Sequence, residues 1–198
     1  CVKHFALNSM EEARFRVDVR VAEDVLHEVY LPHFRTVVEA GVDCVMSAYN
    51  SVNGTWAGQN RQLLTDILRN AWGFTGFVMT DFIWGLRDPV GSVSAGQDLE
   101  MPFRQQRAAT LPAAVADGRL TRSDLERVAG RHLRAQIGLA LRARPDPHPD
   151  VVASPQHRRL AREAAQRGAV LLRNRCGDGT PALPLDEASL SRVALLGR

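Results

Sequence analysis

The chain has 198 residues, of which 45% are hydrophobic and 24% are charged, a balance typical of a globular protein and not of a disordered one. The net charge is +3, and the basic residues are scattered among acids without a run of five or more, which argues against nucleic-acid binding. No stretch approaches the roughly 18 consecutive apolar residues of a membrane span, so we expect no membrane partner. Cys1, Cys44 and Cys176 follow no metal-binding spacing, and such an odd, sparse set indicates free thiols.

Four strand–helix units are predicted in the first 142 residues. The predicted strands are Val2–Phe5, Val42–Tyr49, Phe77–Thr80 and a short one at Ala95–Met101. The predicted helices are Val21–Ala40 with a break at Pro32, Asn60–Trp72 ended by Gly73, Thr110–Asp117, and Ser123–Leu141 with Ser123 and Glu126 in a capping-box pattern. A loop that carries Gly85, Pro89 and Gly91 is expected after Asp81.

Residues 143–155 contain four prolines and are predicted to be an extended linker between domains. Beyond it we predict a helix at Pro155–Gly168, a strand at Ala169–Arg173, a turn-rich loop at Gly177–Pro184 and a strand at Val193–Leu196. The chain begins inside one predicted strand and stops after another, so we expect a fragment of a longer protein, whose compartment is left open.

Strands that alternate with helices predict an α/β fold with a parallel sheet. Four such units, each ending in polar residues, fit the C-terminal half of a (β/α)8 TIM barrel. We therefore expect residues 1–142 to be the second half of a barrel domain and residues 156–198 to open a second domain. Half a barrel leaves an open sheet edge, so this fragment alone is expected to be inactive and poorly soluble.

The third predicted strand ends in a carboxylate, Asp81, and the aromatic residues Phe82 and Trp84 follow it. Active sites in parallel sheets lie at the carboxyl ends of the strands. A carboxylate beside rings that could carry a sugar suggests glycoside chemistry. On spacing alone, an Asp81 that only caps the following turn is an equally good interpretation.

Several motifs, taken together and in this order, resemble the β-glucosidases of glycoside hydrolase family 3. They are KHFALN at 3–8, SAYNSVNG at 47–54, WGFTGFVMTDF at 72–82 and AGQDLEMP at 95–102. The later segments VLLRN at 170–174, PALPL at 181–185 and VALLG at 193–197 look like the opening of that family's second domain. The resemblance implies a (β/α)8 barrel followed by an α/β sandwich.

The resemblance also implies roles for individual residues. Asp81 matches the family's nucleophile, and Lys3 and His4 match a pair that contacts sugar hydroxyls in the terminal subsite. Tyr49 matches a tyrosine beside the nucleophile, and Phe82 and Trp84 would supply apolar walls for the substrate. Loop-fixing or supporting positions around these groups are expected for Asn8, Asn50, Asn53 and Arg61, while Glu100 is expected to be structural or supporting and not the acid/base.

Two comparisons with the family pattern refine this interpretation. Relatives commonly have Trp directly after the nucleophile, whereas Phe82 stands here, so the aglycone site is expected to differ. The motif at 3–8 lacks the KHFPG form of the N-acetylglucosaminidase branch, which favours the glucosidase branch. In that branch the acid/base glutamate belongs to the second domain, beyond Arg198.

The sequence thus predicts a retaining exo-β-glycosidase, a β-glucosidase in the first place, acting on a β-linked glucoside or oligosaccharide without metal or organic cofactor. A β-xylosidase of the same family is an alternative. A non-catalytic truncated product is another, and a barrel lyase with Lys3 as a Schiff base is a remote one. Neither the oligomeric state nor the preferred linkage follows from the sequence.

Overall fold

The computed structural model of the protein describes residues 1–143, 146, 148–194 and 196. They belong to two units, Cys1–Ala143 and Arg144–Arg198, which are treated separately. The six strands in the described part of the chain all lie in the first unit: β1 (Val2–Phe5), β2 (Asp18–Val19), β3 (Cys44–Ser47), β4 (Ser51–Val52), β5 (Thr55–Trp56) and β6 (Phe77–Met79).

The main sheet has the strand order β1-β3-β6, and all its pairings are parallel. Every residue of β3 is buried, as expected for a central strand covered on both faces. A single parallel bridge joins Met79 to Leu99, so the segment around Leu99 continues the sheet beyond β6. The predicted parallel α/β arrangement is therefore confirmed for this part of the chain.

A small second sheet, which the sequence did not predict, is formed by strands in the segments that follow β1 and β3. Strand β2 pairs with β4 in parallel, and β4 pairs with β5 antiparallel. Asn53 fixes this region, because its side-chain amide accepts from Val21 N and donates to Val21 O, both at 3.0 Å. Its expected loop-fixing role is confirmed.

The predicted helix over Val21–Ala40 is divided as Pro32 suggested. Helix α1 (Glu23–Val25) runs into a π-type turn at Leu26–Tyr30, and α2 (Pro32–Glu39) follows. The next helix, Gln62–Ala71, has π-type hydrogen bonding and buries Leu63, Leu64, Ile67 and Leu68.

The side chain of Asn60 starts that helix by accepting from Leu63 N at 3.1 Å. Gly73 ends it with φ of +70°, a conformation that L side chains avoid.

The segment after Asp81 contains a helix that we expected to be a loop, α3 (Pro89–Ala95). Asp88 caps it by accepting from the backbone N–H groups of Val90 and Gly91. This cap compensates for the low helix propensity of the glycine inside the helix. Gly96 then ends it with φ of +106°.

The predicted strand at Ala95–Met101 was wrong in extent, since only Leu99 bridges to β6. The residues on either side of Leu99 serve neighbouring helices. Gln97 N bonds to Ser92 O at the end of α3, and Glu100 caps the helix that comes next.

Two longer helices close the first unit, α4 (Gln106–Ala116) and α5 (Arg122–Arg142). Helix α4 begins four residues before the prediction. The capping box of α5 is formed by Thr121 and Asp124, so the predicted Ser123–Glu126 pair was wrong. Both pairs satisfy the pattern, but Thr121 has the extended backbone that a cap needs, whereas Ser123 is already helical.

The core of the first unit lies between the sheet and the helices that follow β1 and β3. Phe5, Leu26, Leu63, Leu64 and Val78 are fully buried within it. A smaller apolar cluster joins α3, α4 and α5 around Val93, Ala114 and Val128. The first cluster includes Phe5, Val45 and Val78 and so packs the parallel strands against these helices.

In the second unit, α6 (Pro155–Gly168) confirms the predicted helix and is capped by Ser154. The predicted strand at Ala169–Arg173 was wrong for this structure: the segment is not a strand, and Val170, Leu171 and Leu172 are exposed. A strand needs neighbours, and among the described residues of this unit it has none. In the predicted strand Val193–Leu196, residues 193, 194 and 196 are not in a strand either, and Leu195 lies outside the described residues.

The three cysteines have free thiols, with Cys44 buried and the other two exposed, as the sequence predicted. Within the described part of the chain, the helices are all too short or too polar to cross a membrane.

Candidate active site

Asp81 follows β6 after one residue, Thr80, and is 7% exposed, at the end of the sheet where the parallel strands have their carboxyl ends. The backbone N–H of Phe82 donates to its Oδ1 at 2.7 Å. Its Oδ2 lies 3.3 Å from Nε2 of His4, which comes from the end of β1. Among the described residues, Oδ2 has no hydrogen-bond partner. One carboxylate oxygen is thus held by the backbone, and the other faces the His4 imidazole.

His4 and Lys3 are neighbours on β1, but only His4 contacts Asp81. His4 contacts the carboxylate, whereas Lys3 is exposed on the strand. Both line a cavity of about 290 Å³ together with Asn8, Tyr30 and His33. A lysine that forms a Schiff base is usually desolvated, so the exposure of Lys3 disfavours the lyase alternative.

Tyr49 reaches Asp81 through the next residue of the loop. Its hydroxyl donates to the carbonyl oxygen of Phe82 at 2.7 Å. Burial raises the pKa of the Tyr49 phenol to about 12, and the negative charge of Asp81 adds to the shift. Tyr49 is therefore a protonated hydrogen-bond donor at any working pH.

The aromatic residues after Asp81 are open to solvent, with Phe82 44% and Trp84 56% exposed. Between them, Ile83 has φ of +65°, which turns the chain sharply. Exposed rings so close in sequence to the carboxylate are free to contact a substrate, which fits the expected apolar walls.

Two glycines support this loop: Gly85, which the sequence marked only as a loop residue, and Gly58, which it did not single out. A Cβ on Gly85 would lie 2.4 Å from the carbonyl oxygen of Asp81 and 2.8 Å from its nitrogen. A Cβ on Gly58 would lie 2.7 Å from the carbonyl oxygen of Gly85. Backbone segments therefore stack directly behind Asp81, and the only sequence signal for this was the glycine itself.

The residues predicted to support the site form hydrogen bonds with different parts of the chain. Glu100 accepts from the backbone N–H groups of Gln106 at 2.8 Å and Arg107 at 3.0 Å, so it caps α4. Asn8 donates to Glu11 at 3.2 Å, and Asn50 donates to Ala6 O at 3.1 Å.

Arg61 is exposed, 3.9 Å from Asp66, in a cavity that it shares with Thr65 and Gly96. The contacts described for Arg61 do not include Asp81, so its supporting role stays a prediction.

A buried ion-pair network anchors the segment around Leu99 to β6. Asp98 accepts from Val78 N at 2.8 Å and Arg69 Nη2 at 2.5 Å, and its other oxygen accepts from Arg131 at 3.1 Å. Burial raises the pKa of Asp98, and the positive charge of Arg69 opposes that shift. The side chains of Asp98 and Arg69 are 0% and 8% exposed, so each compensates the other's buried charge.

The arrangement around Asp81 suits nucleophilic substitution. A polar, ring-shaped molecule at this site can contact three features. They are a carboxylate with one oxygen held by the backbone, an imidazole 3.3 Å from the other oxygen, and two exposed aromatic rings. No group of three or more His, Cys, Asp or Glu residues able to hold a metal ion occurs in the part of the chain that the structure describes.

Comparison with known proteins gives the family directly. Residues 1–135 match the family model described as the glycosyl hydrolase family 3 N terminal domain. The chain is 39% identical to a beta-glucosidase from Rhizobium radiobacter over 99% of its own length and 24% of that protein. It is 43% identical to an exo-alpha-(1->6)-L-arabinopyranosidase from Bifidobacterium breve over 65% of its own length and 17% of that protein.

Solved structures agree with the sequence relatives. Beta-glucosidase 3B from Thermotoga neapolitana in complex with glucose aligns with a TM-score of 0.76 and 36% identity, over 94% of this chain and 26% of that one. The chain spans about a quarter of the length of the first of these relatives and of this structure. The fold is that of the family's N-terminal domain, with mixed α/β content. The chain belongs to glycosyl hydrolase family 3.

Proposed function

We propose that the protein is a retaining exo-β-glycosidase that releases terminal β-D-glucosyl residues, with Asp81 as its nucleophile. The observation that carries the proposal is that the two oxygens of the Asp81 carboxylate have different surroundings. Oδ1 is bonded to Phe82 N at 2.7 Å, while Oδ2 has no hydrogen-bond partner among the described residues and lies 3.3 Å from His4. The beta-glucosidases among the relatives support this substrate class.

In this mechanism Oδ2 attacks the anomeric carbon of the glycoside. The bond from that carbon to the leaving oxygen breaks, and a second carboxyl group protonates the leaving oxygen. Water then hydrolyses the glycosyl ester, with the second group acting as base. His4 and Lys3 are proposed to bind sugar hydroxyls, and Phe82 and Trp84 to form walls around the aglycone.

The second carboxyl group of a retaining glycosidase lies about 5–5.5 Å from the nucleophile. Glu100 is unsuited to the role because both of its oxygens accept from backbone N–H groups of α4. We place the acid/base outside residues 1–198, in a further part of the protein. The beta-glucosidase relatives are about four times longer than this chain, which supports the presence of such a part.

We further propose that residues 1–142 are the C-terminal half of a (β/α)8 barrel, that 143–155 link it to a second domain, and that 156–198 open an α/β sandwich. In the described part of the chain β1 has one neighbour, and the Leu99 segment has a single bridge. Both edges of the sheet could therefore take further strands, as closure of a barrel requires.

Azide rescue of the complete gene product tests the nucleophile. Asp81→Gly should be inactive on an aryl β-glucoside with a good leaving group, and azide should restore turnover with α-glucosyl azide as product, because azide attacks from the face that the carboxylate occupied. A β-glucosyl azide would assign Asp81 the acid/base role, and undiminished hydrolysis by the variant would refute the mechanism.

An α-L-arabinopyranoside is a second candidate substrate, since the Bifidobacterium relatives of that name have 42–43% identity to this chain. They match only 65% of it, whereas the beta-glucosidases match 99–100%. The ratio of kcat/KM for p-nitrophenyl β-D-glucopyranoside and α-L-arabinopyranoside would decide between them, with a β-D-xylopyranoside as the third substrate. We expect the glucoside to be preferred.

A further inference from the structure

Phe15 contacts the candidate site from a segment to which the sequence assigned no role. Its ring centroid lies 4.7 Å from that of Tyr49, and the planes are inclined by 58°. The guanidinium of Arg14 lies over both rings, 4.6 Å from the Phe15 centroid and 5.5 Å from that of Tyr49. The half-buried Phe15 ring therefore limits the positions that the Tyr49 ring can take.

The backbone of Phe15 is tied to the loop that follows Asp81. Arg87 donates from Nη2 to the carbonyl oxygen of Phe15 at 3.0 Å. The guanidinium of Arg87 lies 4.6 Å from the ring centroid of Trp56, which fixes the arginine in turn. The segment after β1 is thus attached to both neighbouring loops of the site.

From Tyr49 the contacts continue to the carboxylate. The Tyr49 hydroxyl donates to Phe82 O, and Phe82 N donates to Asp81 Oδ1, each at 2.7 Å. Both bonds involve the backbone of one residue, Phe82, so holding its carbonyl restrains the φ and ψ torsions that relate this carbonyl to its N–H.

We propose that Phe15 is a positioning residue for the nucleophile, acting through the Tyr49 ring and the backbone of Phe82. It keeps Oδ1 of Asp81 bonded to the backbone and so keeps Oδ2 directed at the anomeric carbon. The inference rests on the proposed function of Asp81.

The experiment uses the complete gene product and 2-deoxy-2-fluoro-β-glucosyl fluoride, which reports formation of the glycosyl-enzyme alone. Phe15→Leu should lower the inactivation rate constant at saturating reagent by about 10- to 100-fold, the range expected for a small misplacement of a reacting group. The concentration for half-maximal rate should be unchanged, and Phe15→Tyr should restore the rate. Phe15→Met, a more adaptable replacement, should repeat the loss if Phe15→Leu does not fold.

Phe77→Leu is the matched control. Phe77 also makes one aromatic contact, with His132 at 4.9 Å, but at the opposite end of β6 from Asp81. Its loss should leave the inactivation rate unchanged.

The decisive comparison is made in a Tyr49→Phe background. There the loss caused by Phe15→Leu should disappear, because the hydroxyl through which Phe15 acts is gone. An equal loss in both backgrounds, or one as large in Phe77→Leu, would overturn the inference. A parent protein that the reagent never inactivates would instead overturn the proposed function, and the inference with it.

Discussion

Gly85 lies so close to Asp81 that a side chain does not fit between them. A Cβ at position 85 would be 2.4 Å from the Asp81 carbonyl oxygen and 2.8 Å from the Asp81 nitrogen. Real Cβ atoms do not approach backbone atoms this closely, so a larger residue must displace one of the two segments.

Gly85→Ala should therefore reduce kcat/KM of the complete gene product by about 100-fold, because it shifts the nucleophile and not the fold. Gly130→Ala is the control, since nothing lies within 4 Å of its Cβ position in α5. That change should keep full activity and stabilise the protein by about 0.5–1 kcal/mol. Equal activity of the two variants would show that the close approach at Gly85 does not matter for catalysis.

The raised pKa of Tyr49, about 12, predicts how its contribution depends on pH. The neutral phenol donates to Phe82, and a raised pKa keeps it neutral, so the donor is present below about pH 12 and is lost only above it. The ratio of kcat/KM between the parent protein and Tyr49→Phe should then be constant from pH 5 to about pH 10. A ratio that falls toward one with a midpoint near the ordinary tyrosine pKa would contradict this.

Glu100 is predicted to affect stability and not chemistry. Its carboxylate accepts from backbone N–H groups at the start of α4, so Glu100→Ala should lower the free energy of unfolding by about 1 kcal/mol. Activity per folded molecule should be nearly unchanged, and azide should not increase it. A large loss of kcat that azide restores would instead identify Glu100 as the acid/base.

Breaking the buried pair of Asp98 and Arg69 should be far more costly than breaking a surface pair. Arg69→Met leaves Asp98 buried with less compensation and should destabilise the protein by about 3–5 kcal/mol. Arg35→Ala removes an exposed partner of Glu39, 60% and 56% exposed, and should cost less than about 0.5 kcal/mol. Chemical denaturation of both variants compares them, and similar midpoints would refute the structural role of the network.

The sequence was sufficient to predict that His4, Tyr49 and Asp81 come together. His4 lies near the end of β1, Tyr49 and Asp81 come shortly after β3 and β6, and neighbouring parallel strands bring their carboxyl ends to one edge of the sheet. Strand ends are set by local hydrophobic patterns, so the approximate position of the site follows from short-range information.

What the sequence did not predict depends on contacts between distant residues. The ring contact of Phe15 with Tyr49, and the close approaches of Gly85 and Gly58, become visible only when the loops are folded together. Helix α3 was missed because glycine and proline favour a loop locally, whereas the Asp88 side chain supplies a cap. The predicted strand at Ala169–Arg173 was wrong because apolar residues form a strand only beside a partner.

Identification of the labelled residue tests the central claim most directly. The complete gene product would be inactivated with 2-deoxy-2-fluoro-β-glucosyl fluoride, digested, and sequenced by mass spectrometry. We predict one fluoroglucosyl group per molecule, attached to Asp81, and no label in Asp81→Ala. A label on another carboxylate, or undiminished labelling of Asp81→Ala, would contradict the assignment of Asp81 as the nucleophile.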